Sequence, residues 1–182
     1  MNKHIKRVTI IALFSALVLV ASKIEFRIYD TRLHFGNTMC LLSGYVLNPL
    51  GAGLASGIGS LFFDILFYPN SFGVDFLITF INKFVMGFIC SLVFNMLIKT
   101  KFDKTLSLVI SGILGQLAYI ILYIGKTFVE RYYFVGIKQS SVLIPILLIR
   151  LGTSTINAIF AVTVSTILYK SLEKYIIPLD IK

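Results

Sequence analysis

Apolar residues fall along this chain in long blocks that are continuous rather than alternating, broken by short polar segments. The first block is Val8–Ser22, flanked by Lys6, Arg7 and Lys23. At about 1.5 Å per residue it covers about 22 Å, short of a ~30 Å hydrocarbon core unless its basic ends snorkel. A cleaved signal peptide is the alternative reading, with a basic start, a short apolar core and the small residues Ala21 and Ser22. Lys23–Arg32 reads as a mixed-charge loop. Between Leu33 and Phe63 there is no Asp, Glu, Lys or Arg. That stretch is too long for one span, and Asn48-Pro49 followed by Gly51 splits it. The pattern therefore predicts further helices at Leu33–Leu47, Leu50–Tyr68, Asp75–Ile98, Leu106–Gly125 and Ser141–Tyr169, the last bent near Pro145 or Gly152. Pro69-Asn70-Ser71 with Gly73, Lys99–Lys104 and Lys126–Gln139 read as loops.

Composition places these helices in lipid. Of the 182 residues, 57% are hydrophobic and 14% charged, too apolar for a water-facing exterior of this size. In a bilayer the backbone must satisfy itself, which leaves helices or a closed barrel, and the unbroken runs favour helices. The expected fold is an all-α integral membrane protein: one domain over residues 1–182, a bundle of six transmembrane helices. Lysine and arginine counting orients it. With the N-terminus inside, the inner segments hold Lys3, Lys6, Arg7, Lys99, Lys101, Lys104, Lys170, Lys174 and Lys182. The outer loops hold Lys23, Arg27, Arg32, Lys126, Arg131 and Lys138. This favours cytoplasmic N- and C-termini.

The net charge of +9 reads as juxtamembrane lysine rather than a nucleic-acid surface, because no water-soluble basic element exists. Cys40 and Cys90 lie inside apolar runs and suggest neither disulfide nor metal site. There is no GxxxxGK[ST], HExxH or GxSxG, and His4 and His34 are the only histidines. No cofactor is expected.

Two charges interrupt the apolar runs: Lys83 within Phe76–Ile98 and Arg150 within Ser140–Tyr169. Ionisable residues at membrane depth usually face a bundle interior or a wet cavity. Helix geometry puts both about 12 Å below the outer face, Asn37 and Asp64 about 6 Å, Tyr119 about 9 Å and Gln116 about 14 Å. Asn82 lies beside Lys83. The strong polar groups thus gather in the outer half, which predicts an outward-open pocket with mostly apolar walls and a few polar anchors. The competing reading is structural: Asp64 pairs with Lys83, and Asn82, Gln116 and Asn157 link helices. His34 reads as an interfacial histidine. Gly53 and Gly57 form a GxxxG suited to packing within the bundle. Ala12 and Ala16, one turn apart, suit either internal packing or docking onto a partner's helix.

Several segments resemble one family. They are Leu33-His34-Phe35-Gly36-Asn37, Leu41-Leu42-Ser43-Gly44, the run from Pro49 to Ser60 with Asp64, and Phe80-Ile81-Asn82-Lys83-Phe84-Val85-Met86-Gly87. This ordered set resembles the substrate-binding S components of energy-coupling factor (ECF) vitamin transporters. The nearest branch is the one that carries hydroxymethylpyrimidine, pyridoxine and queuosine precursors. Tyr123 and Pro145 fit as well. The resemblance implies capture of a water-soluble vitamin or precursor from outside, under a loop after helix 1. It also implies delivery through a transmembrane coupling protein served by two ATPase subunits. The family's docking face matches Ala12 and Ala16. Its ligand contacts nominate Asn82, Lys83, Tyr119, Tyr123 and Arg150, to which the converging polar groups add Asn37. Arg150 departs from the neutral polar residue usual there, which leaves open a pairing with a ligand carboxylate or phosphate, or with Asp64. A stand-alone carrier would be expected to show inverted halves with broken helices, which the sequence lacks. A membrane enzyme would need an acid, base or metal set, and a structural subunit would use Lys83 and Arg150 as struts.

Overall fold

The structure, a computed structural model, describes residues 3–28, 31–68, 75–100 and 102–176. Helix α1 (Lys3–Lys23) leads into a two-stranded antiparallel hairpin, β1 (Glu25–Ile28) and β2 (Thr31–His34), in which Glu25 faces His34. Then come α2 (Gly36–Val46), α3 (Pro49–Phe67), α4 (Asp75–Lys99), α5 (Lys104–Val129) and α6 (Ser140–Ile176). The loop expected at Pro69-Asn70-Ser71 and Gly73 lies outside the described residues.

The Asn48-Pro49 break is realised as a capped helix start. The Asn48 side chain accepts a hydrogen bond from the Gly51 N–H at 2.7 Å, and Pro49 occupies the first turn, where its missing donor costs nothing. Asp103 caps α5 in the same way, accepting from the Leu106 N–H at 2.8 Å.

Three sequence expectations are corrected. First, the predicted helix Leu33–Leu47 starts too early, since Leu33 and His34 belong to β2 and the helix begins at Gly36. With 11 residues α2 is about 16 Å long, roughly half a hydrocarbon core. The other five helices are each long and apolar enough to cross a membrane. Second, the mixed-charge loop Lys23–Arg32 is largely the hairpin. Third, helix 5 does not end at Gly125. It continues to Val129 and then as a π-helical turn through Glu130–Phe134, so most of the expected loop Lys126–Gln139 is helical.

Helix α2 is the axis of the bundle. Ten of its eleven residues are buried, and it touches α1, α3, α4, α5 and α6. Around it the long helices follow the order α1, α3, α4, α5, α6, each packed on the next. Strand β2 touches both α6 and α1, so the hairpin bridges the place where the ring would close. Small residues set the spacing. A methyl group on Gly53 would come within 2.8 Å of the Phe84 ring, and one on Gly57 within 2.8 Å of the Phe80 ring. The GxxxG therefore packs α3 on α4 inside the bundle, as expected. Helix α1 is part of the wall, with Phe14 and Val18 in the core.

One end of the bundle is closed. Tyr45, Phe94 and Tyr169 meet there with ring centroids 5.4–5.7 Å apart. The Tyr45 hydroxyl donates to the Leu108 carbonyl at 3.1 Å and shares a 3.3 Å hydrogen bond with Ser165. Ser91 satisfies the Leu47 carbonyl at 2.6 Å, at the end of α2. The polar residues of interest collect at the opposite end.

Candidate functional site

At that opposite end, the C-terminal parts of α1, α3 and α5 and the N-terminal parts of α4 and α6 surround a cavity of about 210 Å³. Helix α3 supplies Ser60, Phe63 and Asp64, and α4 supplies Asp75, Thr79, Asn82 and Lys83. From α5 come Tyr119, Tyr123 and Lys126, and from α6 Arg150. Ser22, His34 and Tyr68 complete the lining. The expectation of mostly apolar walls is therefore corrected: among the described lining residues Phe63 alone is purely apolar. The walls are polar because five helix segments each turn a polar position towards the same space.

Lys83 is the deepest cation, 3% exposed. Its ammonium donates a hydrogen bond to Asn37 Oδ1 and lies 4.1 Å from the centre of the Tyr119 ring. Asn37 is equally buried, and its Nδ2 donates to Gln116 Oε1 at 3.4 Å. Asn37 does not line the cavity; it sits behind Lys83 and fixes the ammonium. Asp64 shares the cavity with Lys83.

Arg150 is half-buried. Its Nη1 donates to Thr127 Oγ1 at 3.2 Å, and its guanidinium carbon lies 5.8 Å from the centre of the Tyr123 ring. Tyr119 and Tyr123, one turn apart on α5, stack with centroids 5.8 Å apart and planes 13° from parallel. Each tyrosine thus carries a cation near its ring, an attraction between positive charge and the ring's electron-rich face. Near the rim, Lys126 Nζ pairs with Asp75 Oδ1 at 2.9 Å, tying α5 to α4. Being partly exposed, that pair adds little stability. The formal charges on the described lining are three positive and two negative, so the chamber favours polar ligands with anionic or electron-rich groups.

The hairpin borders the chamber. His34 lines it, and the Gly36 N–H donates to His34 Nδ1 at 3.1 Å, holding the ring. The Tyr68 hydroxyl donates to Glu25 Oε1 at 2.7 Å, a strap from the end of α3 to β1. Lys23 Nζ lies 4.1 Å from the centre of the Phe67 ring, a second tie between the same two regions.

Of the nominated binding residues, the cavity thus brings together Asn82, Lys83, Tyr119, Tyr123 and Arg150, with Asn37 behind them. Sequence reasoning passed over Thr127, Thr79, Ser60 and Tyr68. Thr127 falls in the expected loop Lys126–Gln139 and Tyr68 at the end of an expected helix, and the helical spacing of Tyr119, Tyr123 and Thr127, four apart each time, is the available signal. Ala12 and Ala16 do not line this chamber. Both are exposed on the outer face of α1, among exposed Leu13, Leu17 and Val20. Among the described residues no group of His, Cys, Asp and Glu is placed to hold a metal ion, and Cys40 and Cys90 are not joined in a disulfide.

The comparisons with known proteins bear on the family and the fold. The family model described as "ECF-type riboflavin transporter, S component" matches residues 2–174. No curated protein matches the chain. Among solved structures, one described as the S component of a bacterial ECF transporter superposes with a TM-score of 0.63. It shares 21% sequence identity and the match covers 94% of this chain and 98% of that one. At that identity the likeness speaks for the fold, which this chain shares nearly end to end. With the family model spanning almost the whole sequence, this chain belongs to the ECF-type riboflavin transporter S components: multi-pass membrane proteins that serve as the substrate-binding subunits of ECF transporters.

Proposed function

We propose that this chain captures a flavin of the riboflavin type from outside the cell, in the polar chamber, and hands it to an ATP-driven coupling module. The observation that carries the reading is a polar, cation-lined chamber at one end of an S-component fold whose other end is plugged by Tyr45, Phe94 and Tyr169. Lysine and arginine counting favours an orientation with the chamber end outside and both termini inside. Buried charge at membrane depth is costly, and a ligand that accepts hydrogen bonds from Lys83 and Arg150 gives it a use. Asn82 fixes orientation, Tyr119 and Tyr123 offer ring surface, and Asn37 positions Lys83. The hairpin, strapped through Tyr68 and Glu25, closes over the guest.

The exposed Ala12 and Ala16 let a partner helix approach α1 closely, which suits docking on a transmembrane coupling protein served by two ATPase subunits. Mass spectrometry of small molecules that co-purify with the protein tests the substrate. Riboflavin or a close analogue is the expected result. A hydroxymethylpyrimidine, pyridoxine or queuosine precursor would instead place the substrate in the branch that the motifs resemble, and no bound vitamin at any supplied concentration would overturn capture itself.

A further inference from the structure

Helix α5 does not stop at the rim of the chamber. Counted with its π-helical turn it runs from Lys104 to Phe134, 31 residues and about 46 Å, against a hydrocarbon core of ~30 Å. Lys126, whose pairing with Asp75 marks the rim, lies about two turns before Phe134. Beyond Lys126 the chain turns aromatic: Phe128, Tyr132, Tyr133 and Phe134. Phe128 and Tyr132 stack with centroids 5.5 Å apart, and Tyr132 meets Tyr133 edge to face at 5.0 Å. The Val135 N–H donates to the Glu130 carbonyl at 3.0 Å and the Ile137 N–H to the Arg131 carbonyl at 2.9 Å. Gly136, at φ 76°, then turns the chain back towards α6. The turn is therefore bonded into one shape, yet its apolar side chains are uncovered. Phe134 is 84% exposed, Tyr133 70% and Val135 53%. The start of α6 is also bare, at Val142 and Ile144. Exposed apolar side chains grouped in this way mark a surface that meets something other than water.

We infer that the turn Glu130–Phe134, with Val135, is a lipid-binding anchor seated in the headgroup interface at the chamber end of the bundle. Three observations select lipid as the occupant. The turn ends a helix that already crosses the bilayer, so the interface is the medium within its reach. Its residues are those that favour that medium, since tyrosine has an apolar body and a polar tip. Positive charge accompanies them, with Arg131 inside the turn and the exposed Lys138 just past it, where lipid phosphates accept it. A spanning helix longer than the core tilts until its ends suit the interface. With the anchor seated, α5 leans, and the Lys126–Asp75 pair lies about two turns of helix inward of the aromatic turn. The α5 wall of the chamber is then held beneath the headgroups rather than standing in water. The anchor fixes the level of the chamber in the bilayer, whichever molecule the chamber takes.

The chain contains no tryptophan, so a single introduced one reports its own surroundings. Phe134→Trp and Ile121→Trp, both at exposed positions of the same helical run, are compared in lipid nanodiscs holding one full-length chain each. Ile121 lies about 20 Å deeper along the run and serves as the reference for the bilayer middle. Fluorescence of Phe134→Trp should be quenched several-fold more by phosphatidylcholine brominated near the headgroup end of its acyl chains than by lipid brominated near the chain ends. Iodide in the buffer should quench it little. Ile121→Trp should show the opposite depth preference. Strong iodide quenching of Phe134→Trp, with little from either bromolipid, would place the turn in water. Shielding from all three quenchers would mean that protein covers it. Either result overturns the anchor and leaves substrate capture in the chamber untouched. Should Phe134→Trp fail to insert, Tyr133→Trp, at the neighbouring exposed position, decides by the same readings.

Discussion

The Lys83 ammonium on α4 donates a hydrogen bond to the side-chain oxygen of Asn37, 46 positions earlier on the buried α2. Asn37 in turn donates to Gln116 of α5. Three helices are thereby linked beneath the chamber by a cation and two amides. An amide oxygen satisfies an ammonium donor without cancelling its charge. The arrangement holds a positive group at a fixed place in the chamber wall.

Asn37→Leu removes that acceptor and leaves Lys83 without its α2 contact. Losing a buried partner of a charged donor costs about 1–3 kcal/mol. Thermal unfolding in detergent should show a stability loss of that order, and ligand titration about a tenfold loss of affinity. No change in either measurement would contradict the positioning role.

Tyr68→Phe and Glu25→Gln each weaken the strap between the hairpin and α3. The expected result is a ligand dissociation rate several-fold faster, with faster amide exchange in the hairpin and little change in overall stability. Stopped-flow release and hydrogen exchange measure these. An unchanged dissociation rate in both variants would mean that the strap does not hold the hairpin closed.

Ala12→Trp and Ala16→Trp alter an exposed face of α1. Ligand affinity in the purified protein should be unchanged. Uptake by cells that also make the coupling protein and ATPases should fall to background, because bulky residues block close helix approach. Normal uptake would exclude this face from docking.

Tyr45→Phe serves as the contrast at the closed end. It removes the hydrogen bonds to Leu108 and Ser165 and should cost about 1 kcal/mol of stability. Affinity should stay within about twofold of the unaltered protein. A large loss of affinity would show that the plug and the chamber are not separate parts.

The long spans were legible because a bilayer demands unbroken apolar runs, and the Asn48-Pro49 break was legible because its cap chemistry is local. The central position of α2 was not. A charge-free stretch reads as membrane helix, yet ten of the eleven residues of α2 are buried by protein, and nothing in a single sequence separates those two solvents. The hairpin left a clearer trace in the alternation Ile24-Glu25-Phe26-Arg27-Ile28 and Thr31-Arg32-Leu33-His34, which the dominant helical signal obscured. At the site, Lys83 and Arg150 stood out because charge within an apolar run is rare. Thr127 and Tyr68 did not, since their roles depend on how α5 and α3 end. The burial of the Asn157 side-chain oxygen without a hydrogen-bond partner among the described residues left no trace in the sequence, because it depends on how α6 packs.

Equilibrium titration of riboflavin against Lys83→Met and Arg150→Met, beside the unaltered protein, tests most directly whether the chamber is the binding site for substrate. Both variants should insert and fold, yet lose affinity by about a hundredfold, ~2.7 kcal/mol, as expected when a charged hydrogen-bond donor to a ligand is removed. Tight riboflavin binding by the unaltered protein with the same affinity in both variants would contradict it.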